Sequence, residues 1–155
     1  MRIAVGTDHA GFEIKKRVVE WLRLKRHAVE DLGVDSPEPS DYPDIAEKVA
    51  RYVAAGHAEQ GVLICGTGNG MAMAANKVLG VRAAVCNDEF SAEMARRHNH
   101  ANVISIGARL VAEELMLRIL DRYLSSKEEG GRHDRRVGKI ARIEGSARRK
   151  GKRRK

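Results

Sequence analysis

Apolar positions along the chain fall into two alternating rhythms. Short runs at residues 2–6, 27–32, 61–65, 81–86 and 102–106 read as strands. Between them, apolar residues return at helical spacing. In 12–25 these are Phe12, Ile14, Val18, Val19, Trp21 and Leu22, with Lys and Arg on the other face. Residues 43–55, 71–77, 87–97 and 111–125 repeat the pattern, and Pro43 suits a first helical turn. The run GVLIC (61–65) has no polar interruption, as in a strand buried on both faces. The stretch 36–40, Ser-Pro-Glu-Pro-Ser, reads as a loop.

Strands that alternate with helices must run parallel, because each helix carries the chain back to the same edge. The predicted fold class is therefore α/β: a three-layer α/β/α Rossmann-like sandwich on a five-stranded parallel sheet. In such sheets chemistry gathers at the carboxyl ends of the strands. That directs attention to Asp8-His9, to Cys65 through Gly70, to Asn87-Asp88, and to Gly107-Ala108-Arg109.

Composition changes this picture in one respect. The 155 residues carry a formal charge of +8, which suggests a nucleic-acid surface. Residues 1–131, however, hold 17 Lys and Arg against 19 Asp and Glu, and residues 132–155 hold 12 against 2. The body is slightly acidic and the excess lies at the C-terminus. From Gly145 the sequence GSARRKGKRRK is small and basic, and is expected to be disordered. The reading is a domain over 1–143 with a basic tail over 144–155. No signal-peptide or membrane-spanning run is seen, and two cysteines do not make a disulfide framework. A cytoplasmic location is expected.

Three glycines in five residues, Gly66-Thr67-Gly68-Asn69-Gly70, follow the third strand. Such a loop either turns its N–H groups onto an anion or simply makes a tight strand–helix turn. The spacing alone leaves both open. It matches neither G-x-G-x-x-G, since position 71 is Met71, nor a P-loop. A lone cysteine is more often inert core. Cys65, beside that loop and a helix N-terminus, sits where a thiolate is favoured and could act as base or nucleophile. Cys86 has no such loop and reads as packing. Asp8 fits a helix N-cap as well as a catalyst, and His9 a surface position. His98 fits a charge at a helix C-terminus. Arg132 and Arg136 share a helical face that could grip a phosphate, though solvated charge is the plainer reading. The cysteine spacing argues against zinc, and the G-x-S-x-G elbow of a serine hydrolase is missing.

Four blocks, in order, resemble the type B ribose-5-phosphate isomerase family, which includes galactose-6-phosphate isomerase subunits. They are GTDHAGFEIK (6–15), ICGTGNGMAMAANK (64–77), NDEFSAEMARRHNHANVISIGAR (87–109) and GGRHDRRVGKI (130–140). The resemblance covers about residues 1–140. It implies interconversion of ribose 5-phosphate and ribulose 5-phosphate without metal or cofactor. By that analogy Cys65 is the general base that moves a proton between C1 and C2 through an enediolate. Met71 stands where another branch carries a glutamate base, so this chain resembles the cysteine branch. Thr67 would shuttle protons at the sugar oxygens, and the N–H groups of Gly66, Gly68, Asn69 and Gly70 would hold the oxyanion. His98, assisted by Asp8, would open the furanose ring. His9, Arg109, Arg132 and Arg136 would bind the phosphate, and Asn99 the sugar.

The resemblance further implies a homodimer or dimer of dimers with shared sites, and a C-terminal helix that reaches the partner subunit. Two other readings are weighed against this one. One keeps the chemistry and changes the sugar phosphate to an allose, galactose or erythrulose type. The other is a non-catalytic sugar-phosphate or RNA-binding module. Nucleic-acid contact by the tail would be salt-sensitive and non-specific, and a solvated extension is preferred.

Overall fold

The computed structural model describes residues 1–152, with side chains through residue 145. Five strands make one sheet: β1 (Arg2–Thr7), β2 (Ala28–Asp31), β3 (Gln60–Cys65), β4 (Ala83–Val85) and β5 (Val103–Gly107). Their order is β2-β1-β3-β5-β4, and every pairing is parallel. Six α-helices accompany them: α1 (Phe12–Leu24), α2 (Tyr42–Ala54), α3 (Asn69–Ala75), α4 (Glu89–Asn99), α5 (Glu113–Ser125) and α6 (Arg132–Lys152). This is the α/β fold class expected.

Side-chain alternation sorts the sheet into two faces. Ile3, Val5, Val62, Ile64, Ile104 and Ile106 pack with Val18 and Leu22 of α1, Ala92 of α4, and Met116 and Ile119 of α5. Ala4, Leu63, Cys65 and Val103 face the other way, onto Val49 and Val53 of α2 and Met71 and Ala75 of α3. All six residues of β3 are buried, as a strand covered on both faces requires. At Gly6 a Cβ would lie 2.6 Å from Val49 Cγ2, so glycine there lets α2 approach the sheet.

Several boundaries differ from expectation for local reasons. α3 begins at Asn69 rather than 71, because Gly68 turns the chain at φ +83° and its carbonyl accepts the Ala72 N–H. β4 starts two residues late. Val81 N–H closes a turn onto Val78, and Arg82 is tied by its N–H to the Asn102 side chain and by Nε to the His100 carbonyl. α4 starts later than read, because Asp88 caps it through Ser91 N–H at 2.7 Å, and it runs on to Asn99. α6 continues through Lys152, past the boundary read at 143/144. Ala, Arg and Lys are strong helix formers, so a basic composition does not itself end a helix. Residues 153–155 lie outside the described residues. Among the described residues no helix is long and apolar enough to cross a membrane.

Tyr123 of α5 anchors the amino edge of the sheet. Its fully buried hydroxyl lies 2.8 Å from both Gln60 Oε1 and the Ala101 carbonyl, and burial pushes its ionisation well above the phenolic range. Cys86, 1% exposed, behaves alike: burial raises its thiol from 9.0 to about 11. Unfolding frees that thiol to ionise at its lower ordinary value. The stability it confers is thus complete below pH 9.0 and is lost as pH rises toward 11. Urea-unfolding midpoints followed from pH 8 to 10 should therefore fall in the wild type, and fall less steeply in Cys86→Ala. Equal slopes in the two proteins would count against this account.

Candidate active site

At the carboxyl edge, the turn after β1 is made by Asp8. Its Oδ1 accepts the N–H groups of Ala10 at 2.9 Å and Gly11 at 3.2 Å, capping a 3-10 turn over His9–Gly11. The capping role is therefore real. Both bonds fall on one oxygen, which leaves Oδ2 of this buried carboxylate for other work. The Asp8 N–H donates to the Ile64 carbonyl at 3.2 Å, which sets the turn beside the end of β3.

One residue further along β3 lies Cys65, 5% exposed, and its Sγ accepts the Gly68 N–H at 3.1 Å. An N–H donor aimed at sulfur stabilises negative charge on it. The loop that supplies this donor is itself pinned. The buried Ser105 Oγ donates to the Gly68 carbonyl at 2.7 Å, and Asn69 N–H lies 3.4 Å from Thr67 Oγ1. From β5, the Ala108 N–H donates to the Cys65 carbonyl at 2.7 Å and the Arg109 N–H to that of Gly66 at 3.1 Å. Arg109 lies over Gly66: a Cβ there would be 3.6 Å from its guanidinium. Asp8, Cys65, Thr67, the glycine loop and Arg109 therefore share one edge, as the strand-end rule expects.

His9 carries a fixed tautomer. The Ser40 N–H can only donate, and it donates to His9 Nδ1 at 3.3 Å. The neutral ring must then hold its proton on Nε2, the form that donates to an anion. Ser40 Oγ in turn accepts the His9 N–H. Nothing in the sequence marks Ser40, which sits in a proline-rich loop with no motif. Tyr42, 42% exposed, is likewise unmarked. Its ring lies against Gly70, where a Cβ would fall 2.6 Å from Cε2. Asn87 Oδ1 accepts the Gly107 N–H at 3.0 Å, so this strand-end residue braces the loops.

The remaining candidates lie elsewhere. His98 and Asn99 end α4, immediately before β5 begins, and Arg132 and Arg136 belong to the start of α6. They therefore sit at the amino edge. β5 spans five residues, so the two edges are about 16 Å apart within one chain. At this edge the His98 and His133 rings stack, with centroids 4.1 Å apart and planes at 9°. Glu129 Oε2 lies 3.5 Å from His98 Nε2 and 3.6 Å from His133 Nε2. Arg97 holds the other carboxylate oxygen, with Nε at 2.6 Å, and keeps this carboxyl below its usual range. His98, Glu129 and His133 have the composition of a metal site. The Arg132 Nε, 3.2 Å from His133 Nε2, already occupies one of its ligand atoms, and the Arg97 guanidinium on the other oxygen of Glu129 adds positive charge that opposes a cation there.

The profile of the ribose/galactose isomerase family matches residues 3–140. Ribose-5-phosphate isomerase B of Escherichia coli (strain K12) is 46% identical over 143 residues, covering 92% of this chain and 96% of that protein. The structure of Clostridium thermocellum ribose-5-phosphate isomerase B superposes with a TM-score of 0.94 at 44% identity, over 95% of this chain and 99% of the other. A Mycoplasma genitalium ribose-5-phosphate isomerase B structure with bound ribulose-5-phosphate gives 0.89 at 43%, over 93% and 96%.

The loop geometry makes a stability prediction. Gly68 and Gly80 share a left-handed φ, +83° and +82°, but a Cβ at 68 would meet the Ser105 carbonyl oxygen at 3.1 Å while Gly80 faces open space. Both alanine variants carry the backbone strain. Gly68→Ala should lose about 1 kcal/mol more than Gly80→Ala, the part due to overpacking. Paired urea titrations measure the difference, and equal losses would show that the loop yields freely.

Proposed function

The chain belongs to the ribose/galactose isomerase family, and on that premise we propose that it interconverts ribose 5-phosphate and ribulose 5-phosphate, with Cys65 as the general base. Homology makes it an isomerase enzyme. The observation that carries the finer reading is the Gly68 N–H directed at Cys65 Sγ at the mouth of the central strand. It supports a thiolate poised beside a loop of backbone donors.

The steps follow from the residue types. In the cyclic aldose, His98 gives a proton to the ring oxygen while Asp8 Oδ2 takes the proton from the C1 hydroxyl, and the C1–O bond to the ring breaks. The Cys65 thiolate then removes the C2 proton. The electron pair forms the C1–C2 double bond, and the C1 carbonyl oxygen becomes an oxyanion. With the N–H groups of Gly68 and Asn69 engaged at Cys65 Sγ and Thr67 Oγ1, those of Gly66 and Gly70 are left to face that charge, a contribution of roughly 3 kcal/mol per donor. Thr67 passes a proton from one enediolate oxygen to the other, and the Cys65 thiol returns its proton to C1. His9, with its proton on Nε2, and Arg109 bind the phosphate from this edge.

A single chain leaves this scheme incomplete, because His98, Asn99, Arg132 and Arg136 lie on the far edge of the sheet. We place them in the site of a second copy, in a homodimer or dimer of dimers. Two features support this. α6 carries exposed Ile140 and Ile143. Together with Leu79 and Val81 these residues line a groove of about 770 Å³ beside β4, an edge strand. The isomerase unit then spans 1–143, with 144–155 as a basic extension.

Two tests follow. Cys65→Ala should abolish isomerisation of ribose 5-phosphate while the protein still binds it, as calorimetry would record. Wild-type turnover in this variant would remove Cys65 from the mechanism. For the shared site, Cys65→Ala and His98→Asn should each be inactive alone. Mixing them with subunit exchange should restore about a quarter of wild-type activity, because half the dimers carry one intact site. No recovery after verified exchange would put both residues in one chain's site.

A further inference from the structure

The cluster at the end of α4 contains more than the mechanism uses. His98 is the acid in the scheme above, yet two arginines, a carboxylate and a second histidine surround it. The partners each group can accept decide how they pair. Arg132 Nε only donates, and it lies 3.2 Å from His133 Nε2, so that nitrogen supplies a lone pair. Neutral His133 then has no Nε2 proton to offer Glu129. Burial also holds this imidazole below its ordinary range, with His98 and Arg132 adding to the effect. Of the two stacked rings, the one able to present a proton to Glu129 Oε2 is His98, at 3.5 Å.

Glu129 is held more firmly than its place in a connecting segment suggests. Its N–H donates to the Arg97 carbonyl at 2.9 Å, and its own carbonyl lies 2.8 Å from His100 Nε2. Arg97 also grips the carboxylate, and Glu93 Oε1 fixes Arg97 Nη1 at 2.7 Å. Backbone and side chain are thus both fixed to the last turn of α4, the turn that carries His98. We propose that Glu129 is the positioning residue for His98: it orients the imidazole for ring opening. The arrangement repeats the logic of a carboxylate behind a catalytic histidine. His133, stacked on the face of the ring, limits its rotation. The proposal rests on the assignment of His98 as the ring-opening acid.

The chemistry of the two sugars separates this role from a structural one. Ribose 5-phosphate is a furanose closed through its C4 oxygen and must be opened. Ribulose 5-phosphate has its C5 oxygen phosphorylated and stays acyclic. Exchange of its C1 proton with solvent needs the Cys65 base and the oxyanion loop, and does not need ring opening. In Glu129→Gln, turnover of ribose 5-phosphate should fall roughly 10- to 100-fold. Deuterium incorporation at C1 of ribulose 5-phosphate in heavy water should stay within about twofold, which also reports an intact fold. Glu129→Asp should recover part of the lost turnover.

Equal losses in both assays, or no loss in either, would overturn the proposal. The parent assignment is read from two further variants. His98→Asn should lose furanose turnover and keep exchange; if it keeps both, His98 is not the acid and the proposal falls with it. If Cys65→Ala keeps exchange, the base is misassigned, a failure distinct from that of Glu129.

Discussion

Burial of the central strand on both faces is the constraint from which the rest of the structure follows. β3 has no solvent face, so helices must cover both sides, and a parallel sheet with crossovers is the arrangement that supplies them. The same strand ends in Cys65, which leaves its thiol at a sheet edge with low water access. The chain gives that sulfur a fixed donor within three residues, the Gly68 N–H. The left-handed turn at Gly68 is in turn held by Ser105 from the neighbouring strand. Strand pairing, loop geometry and chemistry are therefore linked: a shift of β5 against β3 would move Ser105, the Gly68 peptide and the donor on sulfur together.

The strand-and-helix order and the carboxyl-edge residues were legible in the sequence because they rest on local rules. Apolar periodicity locates every strand, and the strand-end rule points to Asp8, His9, Cys65, the glycine loop and Arg109. The boundaries of β4 and α3 were less legible, since side-chain bonds from Asn102 and the left-handed Gly68 decide them, and neither shows in hydropathy. Ser40 and Tyr42 were invisible for a related reason. Each meets its partner across a long loop, and only the fold brings Ser40 to His9 or Tyr42 to Gly70. The division at 143/144 followed composition, whereas the helix follows backbone propensity and continues.

His98 illustrates a different limit. Sequence spacing suggested a charge at a helix end, and that is where it lies. What spacing could not show is that Glu129, 31 residues later, returns to the same turn. The segment after α5 is tied back by main-chain bonds to Arg97 and His100. No side-chain pattern announces such bonds. The carboxylate that faces His98 is therefore a product of chain path rather than of motif.

The separation of the two edges carries the strongest consequence for function. A parallel sheet puts every strand end of one kind on one side, so residues before β5 and residues after β3 cannot converge without a distortion the ladder forbids. In the proposed scheme, proton removal at carbon and proton donation to a ring oxygen both act on one small sugar, within a few ångströms. If both groups serve one substrate, the second must arrive from another copy. α6 would suit that purpose, because it leaves the body at the amino edge with Ile140 and Ile143 exposed beside the edge strand β4. On this view association is part of the catalytic apparatus, since neither edge alone holds both the base and the acid. In the proposed scheme the Arg97–Glu129–His98 array would hold the acid in place on one chain, facing the Cys65 thiol and glycine loop of the other.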